Sequence, residues 1–379
     1  MKKYRFLPFL ALLPLLLTSC GAKAPTSLEL SGSNTNTDIH TEAQLNYIKD
    51  SNVSHINDYT GAGVVDESKS NGINIAIEAK PEGGDMPPKY QVVVEEANDS
   101  SRHVTFQTTK NECLLTNLKV NTAYKYEIRA IYSSNTFISE KHSFTTDNTL
   151  PRNMNVSTVS NMRDLGGYSL GENKYIKQGM IYRSAEFNTS YKTINSISDN
   201  DISVLVNHLK IKSDIDLRQT VKGDKGIETG GLTSSPLGKG VNYYNCPMIF
   251  QGSNVLDNAD NQESVKKFFN YLADESNYPV VFHCAQGKDR TGCLAYAIEA
   301  LLGAGDESND PLLRDYLFTN FSDVNGICKV NDLMASSKIG GVLEKEEGET
   351  LSKKAYNHLL NTNGISKETL DKIISILSE

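Results

Sequence analysis

Cys284 and Arg290 stand six residues apart in the run His283-Cys284-Ala285-Gln286-Gly287-Lys288-Asp289-Arg290-Thr291-Gly292. Val280, Val281 and Phe282 ahead of it pattern as a buried strand, and Cys293 to Leu302 behind it as an apolar helix. The run is therefore a strand–loop–helix connection that opens onto a helix N-terminus. Backbone N–H groups converge there with the positive end of the helix dipole and form an anion cradle. A thiol in that field loses its proton more readily and is a nucleophile at neutral pH. Six residues on, Arg290 is spaced to curl back over the loop and hold two oxygens of one phosphoryl group. Gly287 permits the tight turn, and the Thr291 hydroxyl is placed to hydrogen-bond a thiolate. His283, Ala285, Gln286 and Lys288 complete the candidate phosphate loop.

This run resembles the Cys-x5-Arg loop of the cysteine-dependent protein tyrosine phosphatases. Asn161-Met162-Arg163-Asp164-Leu165-Gly166-Gly167-Tyr168 resembles the N-F-R-D-L-G-G-Y signature of the bacterial tyrosine/lipid phosphatases, with Met162 in the aromatic position. Met180 to Ala185 looks like the next strand of that branch, and Asp214-Ile215-Asp216-Leu217-Arg218 resembles its I-D-L-R strand end. Asp315-Tyr316 to Asn320 is similar to the helix after its phosphate loop. The likeness runs from about Val156 to the C-terminus. It implies an α/β phosphatase domain with a central, mostly parallel sheet flanked by helices. Lys329 to Leu351 matches nothing in that pattern; Gly340-Gly341 within it reads as a hinge or a surface loop.

The implied reaction splits one displacement into two. Cys284 attacks phosphorus to give a cysteinyl-phosphate, which water then hydrolyses. Arg290 and the loop amides stabilise the equatorial oxygens. A carboxylic acid must protonate the leaving oxygen, and two are available. Asp289, fixed inside the loop, is the first candidate, and Asp216, at a neighbouring strand end, is the alternative. His283 orients the loop, while Arg163, Asp164, Arg183 and Arg218 read as one supporting ion network. The mechanism calls for no metal and no cofactor. Expected substrates are phosphotyrosine proteins and, with Lys288 holding a second phosphate, phosphoinositides or inositol phosphates. Competing readings are a non-catalytic phospho-ligand-binding lipoprotein and a rhodanese-type sulfurtransferase.

The elements that carry this loop occupy the back of a chain of 379 residues, long enough for two or three domains. With 38 Lys+Arg against 46 Asp+Glu, the net charge of −8 argues against nucleic acid as the main partner. A 38% apolar content excludes a membrane bundle and a wholly disordered chain. At the front, Lys2, Lys3 and Arg5 precede the apolar run Phe6 to Leu17, too short for a spanning helix and consistent with a signal peptide over 1–19. Leu17-Thr18-Ser19-Cys20-Gly21 resembles the lipobox of bacterial lipoproteins. That likeness implies lipidation of Cys20 and a membrane-anchored, extracytoplasmic protein on the cell surface or periplasmic side.

Residues 20–70 are rich in Ser, Thr, Asn and Asp, the composition of a flexible stalk with a short helix near Gln44 to Ile48. Over 71–147 the period turns to two, in Ile73 to Ile77, Tyr90 to Val94, Val104 to Phe106 and Tyr124 to Ala130. That spacing predicts a β-sandwich. Leu115 to Tyr126 resembles the fibronectin type III pattern, with Tyr124 as its corner tyrosine. The phosphatase domain fills 148–379. Cys113, Cys246, Cys293 and Cys328 are expected to be buried free thiols, with a Cys284–Cys293 disulfide as the alternative.

Overall fold

The computed structural model describes residues 21–188, 197–220, 222–223, 226–228, 230–250 and 254–379. The signal segment 1–19 and Cys20 lie outside the described residues. No helix among the described residues is long and apolar enough to cross a membrane.

Alternating apolar residues build a two-sheet antiparallel sandwich. Its strands are β1 (Ser27–Asn34), β2 (Ile73–Glu82), β3 (Lys89–Glu96), β4 (Asp99–Thr108), β5 (Glu112–Leu115), β6 (Ala123–Ile131), β7 (Thr136–Ile138) and β8 (His142–Thr145). One sheet runs β1-β2-β5 and the other β4-β3-β6-β7, with β8 also on β6. Successive side chains of a strand face opposite ways, so Ile73, Ile75 and Ile77 of β2 meet Tyr90, Val92 and Val94 of β3 in one core. The Tyr124 hydroxyl accepts a 2.8 Å hydrogen bond from the Lys119 backbone N–H and pins the turn before β6.

Two expectations about the front half need correction. β1 pairs along its whole length with β2, so the sandwich begins at Ser27 and not at residue 71. Residues 20–70 are also not a flexible stalk: after β1 come helix α1 (Glu42–Lys49) and a 3-10 turn (Val53–Asp58). A few large side chains decide this. Tyr47 is fully buried in the core of the C-terminal half, its ring 5.5 Å from Phe318 and beneath the Arg314 guanidinium at 4.8 Å. Arg314 also donates to the Tyr47 and Asp50 carbonyls at 2.7 and 2.9 Å. The polar composition that suggested disorder is local turn chemistry: Asp38, Asp50, Asn52 and Asp66 each accept a backbone N–H two residues on.

The C-terminal half is built on six strands ordered β15-β12-β16-β11-β10-β9. In chain order these are β9 (Arg152–Asn153), β10 (Arg163–Asp164), β11 (Ile181–Ser184), β12 (Ser213–Asp216), β15 (Asn242–Asn245) and β16 (Val280–His283). A ribbon of β13 (Lys222–Gly223) and β14 (Gly226–Ile227) lies between β12 and β15 in the chain. β15, β12, β16 and β11 are parallel, while β10 and β9 add antiparallel edges. Both faces are covered, which is why β16 reads as an uninterrupted apolar run. Val280 and Phe282 face the helical core of α3 (Gln262–Leu272), α4 (Asp289–Leu302), α5 (Asp310–Leu317), α8 (Leu351–Asn361) and α9 (Lys367–Leu377). Val281 faces the second core with Tyr182, Leu205 of the turn after α2 (Asp199–Ser203), and Met162, which is buried in the aromatic position of its motif.

The segment 329–351 forms two short helices, α6 (Asn331–Met334) and α7 (Ile339–Leu343). Gly340 and Gly341 are buried helical positions, neither hinge nor surface loop. A Cβ on Gly341 would stand 2.4 Å from the Ala335 carbonyl oxygen, so close backbone packing is what requires glycine.

Candidate active site

β16 ends at His283, α4 starts at Asp289, and the five residues between them turn the chain over the helix N-terminus. Gly287 makes the turn possible: its φ is +65°, and a Cβ there would lie 2.4 Å from the Ser184 carbonyl oxygen. Three successive carbonyls of the loop are tied outward. The Ala285 oxygen accepts from the Glu186 N–H at 3.3 Å, the Gln286 oxygen from Asn161 Nδ2 at 2.9 Å, and the Gly287 oxygen from Arg183 Nη2 at 2.8 Å. In a trans peptide the N–H points opposite to the preceding C=O, so the amides of Gln286, Gly287 and Lys288 turn inward. With the orphan amides of the α4 first turn they line one cradle.

Cys284 opens that cradle and is 3% exposed. Burial alone would raise its pKa, yet the Arg290 charge and hydrogen bonding from Thr291 hold the thiol below its ordinary value. The Thr291 hydroxyl is buried and is engaged by no other group among the described residues. The other described cysteines go the opposite way. Burial pushes Cys113 up to about 11, and Cys246, Cys293 and Cys328 up to about 12. All five are free, Cys284 and Cys293 included.

Arg290 is buried and carries its charge against Glu228, with Nη2 to Oε1 at 2.7 Å and Nη1 to Oε2 at 3.1 Å. Nη1 also donates to the Leu217 and Met248 carbonyls at 3.2 and 3.1 Å. Glu228, directly after the β13–β14 ribbon, carries no motif and was missed at the level of sequence. Lys288 Nζ donates to the Asn325 and Gly326 carbonyls, both at 3.3 Å, and Gln286 Oε1 accepts from the Asn325 N–H.

The two candidate acids sit in opposite environments. Asp289 makes no hydrogen bond or ion pair among the described residues, and burial raises its pKa. Asp216 is fully buried at the end of β12, opposite His283 in the sheet register. It accepts from the Arg218 N–H and Nε at 2.9 Å, from Arg218 Nη2 at 2.8 Å and from the Tyr243 hydroxyl at 2.8 Å. Burial would raise its pKa, but His283 and Arg218 hold it down. His283 contacts Asp214 through Nε2 at 3.0 Å and the Cys284 carbonyl through Nδ1 at 3.2 Å. Its pKa is raised, the two aspartates outweighing burial.

The four motif charges do not form one network, as the sequence suggested; they form three. Arg163 and Arg183 share Asp315, with Arg163 Nε at 2.9 Å from Oδ1 and Arg183 Nη1 on Oδ2. Arg163 also holds Asn161 Oδ1, so α5, β10 and β11 converge on the outer side of the loop. Asp164 instead pairs with Arg152, which reaches the Leu118 and Asn117 carbonyls of the sandwich at 2.8 and 2.7 Å. Arg218 pairs with Asp216 and with Glu186 at 2.9 Å. The roles of Asn161 and Asp315 depend on contacts across 125 and 132 residues of chain, which no local pattern displays.

Residues 154–378 match the model of the tyrosine phosphatase family. Among solved structures, the chain is similar to the core catalytic domain of the PP-IP phosphatase SIW14 from S. cerevisiae in complex with citrate. That match has 19% identity over 44% of this chain and 92% of the other, with a TM-score of 0.28. P. aeruginosa TpbA, as a cysteine-to-serine variant in complex with pTyr, is 22% identical over 41% of this chain and 78% of its own, with a TM-score of 0.24. No curated protein matches the chain.

Proposed function

This chain belongs to the tyrosine phosphatase family and is a protein-tyrosine-phosphatase-like phosphoric monoester hydrolase, and on that premise we propose which residues do the work. The Cys284 thiolate attacks phosphorus; the S–P bond forms as the ester P–O bond breaks. Asp289 gives its proton to the leaving oxygen and takes one back from the water that cleaves the cysteinyl-phosphate. Arg290 and the inward amides carry the charge on the equatorial oxygens. His283, Ala285, Gln286, Gly287, Lys288 and Thr291 shape the cradle, and Asp216 is a structural carboxylate.

The observation that carries this reading is the contrast between Cys284 and the four other described cysteines: only its thiol is shifted down, beside Arg290. Hydrolysis of p-nitrophenyl phosphate tests it. Cys284→Ser should abolish turnover and retain phosphate binding, because a serine hydroxyl is not ionised while the cradle persists. Arg290→Ala should weaken both. Wild-type turnover in either variant removes the covalent mechanism.

The proposed substrates are phosphotyrosine and phosphoinositides or inositol phosphates, with Lys288 beside the loop as the source of extra positive charge. Phosphotyrosine peptides and soluble inositides, compared before and after Lys288→Ala, check this; equal loss on both reduces Lys288 to general electrostatics.

The proposed location is extracytoplasmic, with Cys20 lipidated after removal of 1–19 and the sandwich a fibronectin type III-like module. The lipobox-like run supports the anchor, and the Tyr124 corner supports the module. Replacing Cys20 by Ala should release the protein from membranes with its activity intact; firm retention after signal processing would show that the anchor is misread.

A further inference from the structure

The chain enters its fold without slack. A Cβ on Gly21 would lie 3.3 Å from Ser133 Oγ. Two residues on, the Lys23 N–H donates to Asp85 Oδ2 at 2.7 Å, and the Lys23 carbonyl accepts from the Asp85 N–H at 3.0 Å. Ser133 follows β6 and Asp85 lies between β2 and β3, so these contacts mark one end of the sandwich. From there β1 runs, paired throughout with β2, to the other end. There the Thr37 carbonyl accepts from the Asp147 N–H at 3.0 Å, and His40 Nε2 meets the Pro151 carbonyl at 2.7 Å. The eight residues of β1 carry the chain about 26 Å.

That second end is clamped to the C-terminal half. Buried Arg152 joins Asp164 to the Leu118 and Asn117 carbonyls. Asn117 Nδ2 donates to the Asn155 carbonyl at 3.1 Å, and its Oδ1 accepts from the Asn155 N–H at 2.6 Å. The Gln178 amide holds the Val120 N–H and carbonyl in the same two-way fashion, both at 2.9 Å. Gln178 stands just ahead of β11, at the foot of the parallel strands. The phosphate loop stands at their other end, where the carbonyl of Ser184, the last residue of β11, packs on Gly287. The order along the molecule is therefore Gly21, sandwich, foot of the catalytic sheet, phosphate loop. One peptide bond separates Gly21 from Cys20, so acyl chains on Cys20 would seat the Gly21 end of the sandwich at the bilayer surface.

We propose that the sandwich is a fixed stand-off that holds the phosphate loop away from the bilayer carrying the protein, so that the site takes phosphoesters arriving through water and not those held at the surface of its own membrane. The proposal rests on the phosphatase and lipid-anchor readings above and deepens them. It gives the sandwich a part in substrate selection without any contact to substrate.

The test uses the lipidated full chain in phosphatidylcholine vesicles. In the Cys284→Ser background, a fluorophore at Met86→Cys, exposed in the turn that holds Lys23, should transfer energy efficiently to an acceptor lipid. The same fluorophore at Ile327→Cys, exposed beside the Gly326 carbonyl that Lys288 holds, should transfer markedly less. Equal transfer overturns the stand-off. A phosphotyrosine peptide is then supplied at equal total concentration, either free or tied by a short linker to a lipid of the same vesicle. Wild type should cleave the tied peptide about tenfold more slowly or worse, because a tether that cannot span the gap gives almost no effective concentration. Inserting about forty Gly and Ser residues between Cys20 and Gly21, a coil of about 35 Å, should speed cleavage of the tied peptide and leave the free one unchanged. Wild type that cleaves the tied peptide as fast as the extended protein does overturns the proposal. Vesicles that fail to retain the protein overturn the anchor reading instead, and a free peptide left uncleaved by wild type, or cleaved by Cys284→Ser, overturns the phosphatase reading.

Discussion

Arg183 Nη2 donates a 2.8 Å hydrogen bond to the carbonyl oxygen of Gly287, a residue 104 positions further along the chain. The same guanidinium is anchored through Nη1 to Asp315 of α5, and Asp315 is shared with Arg163. Arg163 in turn holds the amide of Asn161, whose Nδ2 ties back the carbonyl of Gln286. One buried carboxylate thus fixes two guanidiniums, and these set two peptide planes of the phosphate loop. Burial favours a protonated Asp315, but the Arg163 and Arg183 charges hold its pKa down and keep it a carboxylate. Preorganised amides of this kind cost no reorganisation when charge develops on the phosphoryl oxygens.

Asn161→Ala releases the Gln286 carbonyl without removing a charge from the interior. Phosphate affinity should fall about tenfold, on the scale of one lost hydrogen bond to a charged group. Competitive inhibition by inorganic phosphate measures it. Unchanged inhibition would mean that the loop holds its shape without this tie.

Asp289→Asn should slow alkyl phosphates by about 10²–10⁴-fold and p-nitrophenyl phosphate far less, since nitrophenolate leaves with little need of a proton. The pH profile gives the sign. Activity rises with pH as Cys284 ionises, below the range of an ordinary thiol, and falls as Asp289 loses its proton, above the range of an ordinary carboxyl. The alkaline limb should vanish in Asp289→Asn. Asp216→Asn, which strips a partner from buried Arg218, should lower thermal stability with no dependence on leaving group. The reverse pattern exchanges the two roles.

His358 of α8 is buried between Asp257 and Glu346, at 2.7 and 2.8 Å, and despite burial its pKa lies above the usual 6.5. A raised folded-state pKa means stability that is fully present below pH 6.5 and lost as pH climbs through the folded value. The melting-temperature difference between wild type and His358→Gln should therefore be largest in mild acid and shrink toward alkaline pH. A difference that is flat with pH would assign His358 a packing role alone.

Tyr47→Ala should destabilise the phosphatase domain by about 3–5 kcal/mol, the range for emptying a buried aromatic site. Urea unfolding followed through phosphatase activity measures the loss. A flexible stalk would give no change, because its side chains would bury nothing.

The chemistry-bearing loop was legible in the sequence because its parts are contiguous: strand, turn and helix follow one another over Val280 to Leu302, and each has a local signature in β-branched residues, glycine and an apolar helix. The sandwich strands were legible for the same reason, since a period of two is written along each strand. The fold of residues 21–70 was not, because what orders them is distant. Tyr47 packs against the distant Phe318, Phe321 and Arg314, and the surrounding Asp and Asn residues look the same in an ordered turn as in a disordered tail. The choice between Asp289 and Asp216 likewise lay beyond the sequence. Both are aspartates beside an arginine, and only the packed structure gives Asp216 two guanidinium nitrogens and a tyrosine hydroxyl while leaving the Asp289 carboxyl without a hydrogen bond among the described residues. Residue types set which groups can ionise, attack or bind phosphate; burial and partners hundreds of residues away set their charge and direction, and those arise only when the chain has folded.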